Sequence, residues 1–208
     1  MDFEITPEQQ QLVESVQAVL ARECPTALVR DIVENGGAPE QPWKSARELG
    51  WTAIDVPEAL GGLELGFHQL GLVIEQHGRF IAPGPFLASV TQFLPLLREA
   101  GSAAQLARFA VPAAAGELSG ALAIDHGCAA GQALGDALRA RRDGSAWILD
   151  GERHSVLDGD RADEIAVAAR VDEGDGVGLF VVPQGAAKAQ RVVSIDASRP
   201  LGAVPSMR

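Results

Sequence analysis

The sequence predicts an α+β protein: an N-terminal all-helical domain followed by an incomplete antiparallel β-barrel or sandwich domain. Before Gly116, apolar residues recur at the spacing of three and four that is typical of amphipathic helices. After Leu118, short apolar runs alternate with Asp-Gly pairs that are typical of hairpin turns. We therefore place the two domains at residues 1–115 and 116–208, with the active surface between their layers.

The helical half opens with a strong helix-start signal. Thr6 can cap the first helix, Pro7 suits its first turn, and Gln9 stands at the capping-box position. Further helices are predicted to start near Pro25, Pro42, Phe67, Phe86 and Ser102. The residues predicted to form the core of this half are Leu12, Val16, Leu20, Leu70, Ile74, Phe93, Leu94 and Leu97.

The second half is predicted to consist of short strands joined by tight turns. Three apolar runs, at residues 147–149, 165–168 and 179–182, are the clearest strand candidates. The predicted turns are Asp143-Gly144, Asp150-Gly151, Asp158-Gly159 and Asp175-Gly176. This spacing suits an antiparallel barrel or sandwich.

Charge and composition exclude several classes of partner. The net charge of −11 disfavours binding to nucleic acid or to an anionic membrane, because either would repel the chain. Apolar stretches are too short for a membrane span. Cys24 and Cys128 have no metal-like spacing, and with the acidic N-terminus they predict a cytoplasmic protein without a bound metal.

Several polar groups suggest chemistry, but each has a simpler interpretation. His154 and Ser155 could act as base and nucleophile, yet adjacent strand residues point to opposite faces, which favours a surface pair. Asp158, Asp160 and Asp163 lack the glycine and terminal glutamate of a calcium loop and are predicted to form turns.

Two further groups of residues were weighed for function. His68 and His77 lie on or beside an apolar helix face and are predicted to pack rather than to bind a ligand. Asp125-His126 follows a predicted strand directly, where loops often carry function, so this dipeptide is the best local candidate. The Gly/Ala-rich segment after it is not followed by a convincing helix, which leaves a dinucleotide-binding fold unsupported.

A series of short motifs runs through almost the whole chain. They are residues 3–9 (FEITPEQ), 46–51 (ARELGW), 56–62 (VPEALGG), 72–78 (LVIEQHG), 82–86 (APGPF), 116–118 (GEL), 120–123 (GALA) and 147–151 (WILDG). In this order they resemble the N-terminal and middle domains of the acyl-CoA dehydrogenase family. The most specific is the loop at 56–62, where the family has a proline, an acidic residue and two glycines.

The resemblance implies a flavoenzyme with an acyl-CoA substrate. The family binds FAD between its middle β domain and a third, C-terminal helical domain, and the cofactor performs the redox step. A carboxylate of that third domain removes the α-proton of the thioester, so no catalytic residue is expected among residues 1–208. The resemblance also implies a homo- or hetero-oligomer with another acyl-CoA dehydrogenase subunit.

The positions that the resemblance implies for flavin binding are Leu122, Ile124, Asp125, Ser155 and Leu157. Asp125 stands where a hydroxyl group is usual, and its carboxylate would repel an electron-rich reduced flavin. Ser155 and Leu157 replace an aromatic residue and a second hydroxyl. FAD is therefore expected to bind weakly or not at all to this chain.

Three interpretations remain open at this point. The chain is the front part of an active dehydrogenase, a non-catalytic partner subunit of a heteromeric one, or a truncated fragment. The altered segment 125–132 favours the partner subunit over a simple catalytic one. In each case the isolated chain is expected to lack dehydrogenase activity and to be oligomeric, partner-dependent or poorly soluble.

Overall fold

A helical region precedes a region of β-sheet, which confirms the predicted fold class. The computed structural model describes residues 4–37, 40–124, 138–172 and 176–206. The helices are α1 (Pro7–Glu23), α2 (Thr26–Asn35), α3 (Glu40–Glu48), α4 (Phe67–Arg79), α5 (Phe86–Ala88), α6 (Leu94–Ala100), α7 (Ala103–Gln105), α8 (Val111–Ala114) and α9 (Gln184–Ala187). Across these residues, none of the helices combines the length and apolar character needed to cross a bilayer.

Two pairs of consecutive α-helices are joined by a π-helical turn. Residues Ser89–Phe93 join α5 to α6, and residues Leu106–Ala110 join α7 to α8. A π-turn adds a residue to the helical repeat and is often found at functional sites. Here the first π-turn carries Phe93, a fully buried residue that also contacts the sheet region.

The start of α1 confirms the predicted capping box. Thr6 Oγ1 accepts a hydrogen bond from the Gln9 amide at 3.3 Å, and Gln9 Oε1 accepts one from the Thr6 amide at 3.0 Å. These bonds satisfy two amides that the first helical turn would otherwise leave unpaired.

One hydrophobic core unites the helices. Of the eight predicted core residues, Leu12 and Ile74 are only partly buried at its edge. The other six are buried, as predicted: Val16, Leu20, Leu70, Phe93, Leu94 and Leu97. The same core also includes Leu122 and Ala166 from the sheet region, so the helices pack directly on a sheet.

The sheet region contains two sheets. Its strands are β1 (Gly120–Ala123), β2 (Leu138–Asp143), β3 (Ala146–Gly151), β4 (Arg153–Leu157), β5 (Glu164–Val171), β6 (Val177–Pro183), β7 (Gln190–Val192) and β8 (Leu201–Val204). In the first sheet β5 pairs with β6 along one edge and with β1 and β2 along the other, and β3 pairs with β2. The second sheet has the order β4-β8-β7.

The first sheet is mixed, which corrects the expectation of a purely antiparallel domain. β1 and β2 both run parallel to β5, and the described strands form no closed barrel. Parallel pairing needs a long connection, and residues 124–163 provide it between β1 and β5. The alternation of apolar residues identifies a strand but carries no information about the direction of its neighbour.

The Asp-Gly pairs serve different purposes. Asp143-Gly144 forms the predicted turn between β2 and β3, with a φ angle of 62° at Gly144. The prediction for Asp150-Gly151 is wrong, because both residues belong to β3, after which the chain crosses to the second sheet. The pair at 158–159 forms a turn after β4, whereas Asp175 lies outside the described residues.

β1 is held against the helices by a close contact at Gly120. The Gly120 amide donates a hydrogen bond to Ser89 Oγ at 3.0 Å. The Ser89 hydroxyl in turn donates one to the Gly120 carbonyl oxygen at 3.3 Å. A Cβ atom added to Gly120 would lie 2.1 Å from Cγ of Phe93. No side chain larger than hydrogen fits there. We call these three residues the Gly120 contact.

The substitution Gly120→Ala is expected to lower the free energy of unfolding by about 2–3 kcal/mol, because the new methyl group overlaps the buried Phe93 ring. Urea denaturation would show this as a lower midpoint with an unchanged slope. Gly71→Ala is the matched control. A Cβ at Gly71 in α4 meets no atom within 4 Å, so this change should raise stability by about 0.5–1 kcal/mol. Equal effects at both positions would contradict the prediction.

Candidate functional site

The candidate site lies where β1 and β4 meet beside the helical region. These two strands contact each other although they belong to different sheets. β1 carries Leu122 and is followed by Ile124, and β4 carries Ser155 and Leu157. The structure therefore brings together the two strands that were expected to flank a flavin. Asp125 lies outside the described residues.

Leu122 in β1 and Ile124 directly after it both pack against the helices. The Leu122 side chain is 8% exposed and belongs to the core shared with the helices. Ile124 is partly buried and packs against the same core. A ligand at this strand would thus reach backbone groups more readily than these two side chains.

Ser155 lies in a β-bulge. The pairing of β4 with β8 shifts register between Arg153 and Val156, and Ser155 has a φ angle of 58°, which is unusual for a residue with a side chain. His154 and Ser155 are both exposed.

His154 and Ser155 still form no base–nucleophile pair. The charged partner of His154 is Glu152, whose Oε2 lies 3.4 Å from His154 Nε2, and both side chains are exposed. The contact with Glu152 therefore supports the interpretation of His154 as a surface histidine beside a small residue.

Leu157 lines a cavity between α4 and the end of β4. The cavity has a volume of about 180 Å³ and lies between the helical region and the second sheet. We call it the α4–β4 cavity. Its walls include Ile74, His77 and Gly78 from α4, Leu157 and Asp158 from the end of β4, and Arg199 from the segment before β8.

His77 is held in place by aromatic contacts and by one hydrogen bond. Its ring stacks on Phe86 with the centroids 4.0 Å apart and meets the edge of Trp51 at 5.6 Å. Nδ1 lies 3.0 Å from the carbonyl oxygen of Val73 and donates to it. Burial lowers the pKa of His77 to about 4, so the ring is neutral near pH 7 and Nε2 is an acceptor. This supports the predicted packing role of His77, while His68 is exposed.

Asp158 is the residue of this site that sequence reasoning missed. It was predicted to form a turn, and it does, with a φ angle of 55°. Yet the residue is 2% exposed, its Oδ1 accepts no hydrogen bond, and Arg161 Nε is 4.0 Å away. Burial raises the pKa of Asp158 to about 7, against the opposing charge of Arg161. An Asp-Gly pair signals a turn but not how deeply the carboxyl group is buried.

The neighbouring aspartates do not converge on a cation. Asp163 accepts hydrogen bonds from the Ser119 amide at 2.8 Å and from the Ser119 hydroxyl at 2.7 Å, which ties the start of β1 to that of β5. The Asp160 carboxylate oxygen Oδ1 lies 3.6 Å from Arg161 Nε. Within the described ranges no group of His, Cys, Asp and Glu residues is arranged to hold a metal ion.

The described candidates do not fit the flavin contacts that the resemblance implies. Ser155 offers a hydroxyl but no ring for stacking, and Leu157 offers no hydrogen-bond donor. The Leu122 side chain is enclosed in the core. Any flavin contact made by these strands must therefore come mainly from backbone groups.

The substitution Asp158→Asn tests the buried carboxyl group. Because the pKa of Asp158 is about 7 in the folded protein and near 3.8 when unfolded, the destabilisation by this carboxyl group is absent below pH 4, grows as the pH rises from 4 to 7 and is complete above pH 7. The variant should be more stable than the parent by about 2 kcal/mol at pH 8. This difference in stability should shrink as the pH falls below 7 and should vanish near pH 4.

Chemical denaturation across this pH range measures the effect. Asparagine tolerates the left-handed backbone of residue 158, so the change tests charge rather than backbone strain. Asp143→Asn is the matched control, since it alters an exposed Asp-Gly turn in the same way. A variant that is less stable than the parent at pH 8 would contradict the prediction.

Comparison with known proteins identifies the family. A family model described as acyl-CoA dehydrogenase, N-terminal domain, matches residues 6–117. Cyclohex-1-ene-1-carbonyl-CoA dehydrogenase of Geobacter metallireducens is 32% identical over 189 residues, which are 87% of this chain and 49% of that protein. Acyl-CoA dehydrogenase FadE12 of Mycobacterium tuberculosis is 31% identical over 152 residues, 69% of this chain and 38% of the relative.

Solved structures show the same fold. The ChsE4-ChsE5 complex from Mycobacterium tuberculosis superposes with a TM-score of 0.82 and 25% identity, over 100% of this chain and 56% of the matched one. A glutaryl-coenzyme A dehydrogenase in complex with glutaryl-CoA superposes with a TM-score of 0.83 and 20% identity, over 100% of this chain and 55% of the matched chain. This chain spans about half the length of its first curated relative. On the family model and the identity to these relatives, the chain belongs to the acyl-CoA dehydrogenase family.

Proposed function

We propose that this chain is part of an acyl-CoA dehydrogenase-like flavoprotein, which carries out α,β-dehydrogenation of an acyl-CoA thioester with FAD. The structural observation that supports the proposal is the contact between β1 and β4 beside the helical region. In a chain of this family, that contact brings together the two strands expected to flank the flavin. The substrate class comes from the relatives, which include dehydrogenases of several acyl-CoA thioesters.

The contribution of this chain to the reaction is to form one wall of the cleft. Backbone groups near Ile124 and in the bulge at Ser155, with the exposed Ser155 hydroxyl, are the polar contacts that these strands offer, because Leu122 is enclosed in the core and Leu157 is apolar. With so few side-chain contacts, FAD is expected to bind this chain alone weakly or not at all. The carboxylate that abstracts the α-proton is proposed to lie outside residues 1–208.

Exposed apolar residues support an oligomer. Val193 and Ile195 are 97% and 106% exposed and follow β7, which lies at the edge of its sheet. Exposed apolar side chains beside an unpaired strand edge favour contact with another chain. We propose a homo- or hetero-oligomer with another acyl-CoA dehydrogenase subunit. The cytoplasmic location predicted from the cysteines stays a prediction.

A second candidate function is that of a non-catalytic partner subunit. The observation in its favour is that Ser155 and Leu157 lack the ring and the hydroxyl that the resemblance implies at the flavin. The two candidates differ in whether this chain touches FAD in the assembled protein, and a substitution on β4 can distinguish them.

The isolated chain is expected to show no dye reduction with a panel of acyl-CoA thioesters. It should also carry much less than one FAD per chain by flavin absorbance, because Leu122 is enclosed in the core and Leu157 offers no hydrogen-bonding group. Light scattering should show an oligomer or aggregate. Steady dye reduction above a flavin-only control, or a stable monomer with stoichiometric FAD, would contradict this.

The assembled protein, isolated through a tag on this chain, tests whether β4 faces FAD. Leu157→Trp places a bulky ring at the half-buried end of β4 and should lower FAD content and turnover together, by about tenfold. Leu179→Trp, in the partly exposed strand β6, is the matched control and should change neither. If Leu157→Trp leaves FAD content and turnover unchanged in an intact assembly, this chain is a non-catalytic partner.

A further inference from the structure

We propose that a groove along the free edge of β6 binds residues 1–5 of a second copy of this chain as an added β-strand. This inference rests on the oligomer proposed above and names the two surfaces that form it. It does not depend on FAD or on dehydrogenase activity. Three features support it: an unpaired strand edge, the unlike walls of the groove, and an alternation of apolar and acidic residues in the segment 1–5.

The groove lies between the π-helical turn of residues 106–110 and the first sheet, and we call it the β6 groove. It has a volume of about 690 Å³ and follows β6 from Gly178 to Pro183. Among the described strands β6 pairs with β5 alone, so its other edge has no strand partner there. An extended peptide adds to an edge of this kind through main-chain hydrogen bonds.

The sheet side of the groove is apolar. Phe180 and Val182 of β6 line it and pack against the core between the two sheets. Trp147 of β3 lines it as well, and its ring meets the Phe180 ring with the centroids 5.2 Å apart. Apolar side chains on one face of an added strand would be buried against these residues, which is favourable by roughly 25 cal/mol for each Å² of apolar surface.

The helix side of the groove carries a positive charge. Arg108 is exposed and lines the groove, with its guanidinium over the Phe109 ring at 4.9 Å from the centroid. It is the charged residue among the described residues that line the groove, and Glu164, which interacts with it electrostatically, is not one of them. An acidic side chain on the second face of an added strand would pair with Arg108.

The segment 1–5 has the pattern that these two walls select. It reads Met-Asp-Phe-Glu-Ile, so in an extended conformation three apolar side chains share one face and two carboxylates share the other. No other run of five residues in the sequence alternates apolar and acidic side chains in this way. At about 3.4 Å per residue the segment spans about 17 Å, less than the length of the seven-residue strand β6.

The described end of this segment is available to another chain. Residues 1–3 lie outside the described residues, and Ile5 is 49% exposed. Thr6 has φ and ψ angles of −70° and 161°, so the chain enters α1 from an extended conformation. Ile5 does not line the β6 groove of its own chain. Segment and groove are thus separate surfaces of one molecule, and two copies can cover both.

Fluorescence anisotropy tests docking with an acetylated peptide of residues 1–6 that carries fluorescein at its C-terminus. The receptor is the full chain with Phe3→Asp and Ile5→Asp, so that its own segment does not compete. We expect saturable binding. A peptide with the residues at positions 2 and 3 exchanged keeps the composition but loses the alternation, and it should bind about tenfold more weakly or worse. No saturable binding, or equal binding of the two peptides, would overturn the proposal.

Charge reversal tests the role of Arg108. Arg108→Glu in the receptor should weaken binding of the first peptide by about tenfold or more, because its carboxylates then meet a like charge. Arg30→Glu makes the same change at an exposed position of α2 outside the groove and should weaken it less than about twofold.

A peptide with lysine in place of both acidic residues should show the reverse preference. It should bind the Arg108→Glu receptor about tenfold more tightly than the receptor that keeps Arg108. If this preference is missing, Arg108 does not recognise the acidic residues and the proposal is wrong in its chemistry.

Light scattering of the full chain tests the second copy as the occupant. Phe3→Asp with Ile5→Asp should lower the mass of the oligomer about twofold or more, and so should excess peptide added to the parent chain. Val193→Asp with Ile195→Asp alters the other exposed apolar pair. If only this second variant loses mass, the inference fails while the proposed oligomer survives. A monomeric parent chain would contradict both.

Discussion

The arrangement of the protein depends on how closely β1 approaches the π-helical turn of residues 89–93. At Gly120 the backbone of the strand lies against the Phe93 ring, at a distance that leaves no room for a Cβ atom. Ser89 satisfies the Gly120 amide, which would otherwise be buried without a partner. This contact fixes the position of β1, and β1 in turn pairs with β5, the central strand of the first sheet. The helical core consequently extends into the sheet through Leu122.

The candidate site follows from this arrangement. Because β1 packs on the helices and also contacts β4, the end of β4 is brought next to α4. Side chains from both regions line the α4–β4 cavity, and burial beside it shifts the pKa values of Asp158 and His77. Asp158 tends to keep its proton and His77 to lose one, for the same physical reason: the low polarity of the surroundings disfavours either charge.

Local signals in the sequence predicted the parts of the fold that local interactions determine. The capping box at Thr6, the turn at Gly144 and the buried stripe with Val16 and Leu20 are examples. Properties that depend on pairing between strands far apart in the chain could not be predicted from the sequence. The parallel direction of β1 against β5 is one, and the bulge at Ser155, which arises from pairing with β8, is another. Burial of Asp158 is a third, since its neighbours come from remote segments.

Native-state hydrogen exchange tests the central claim, that the Gly120 contact makes the helices and the first sheet one cooperative unit. The amides to compare are those of Val73 in α4 and Val167 in β5, both fully buried. The account predicts equal opening free energies for the two, within about 0.5 kcal/mol, because neither region can open without the other. It also predicts that Gly120→Ala lowers both by the same amount. An opening free energy at Val167 that is lower than the one at Val73 by about 2 kcal/mol or more would contradict the claim.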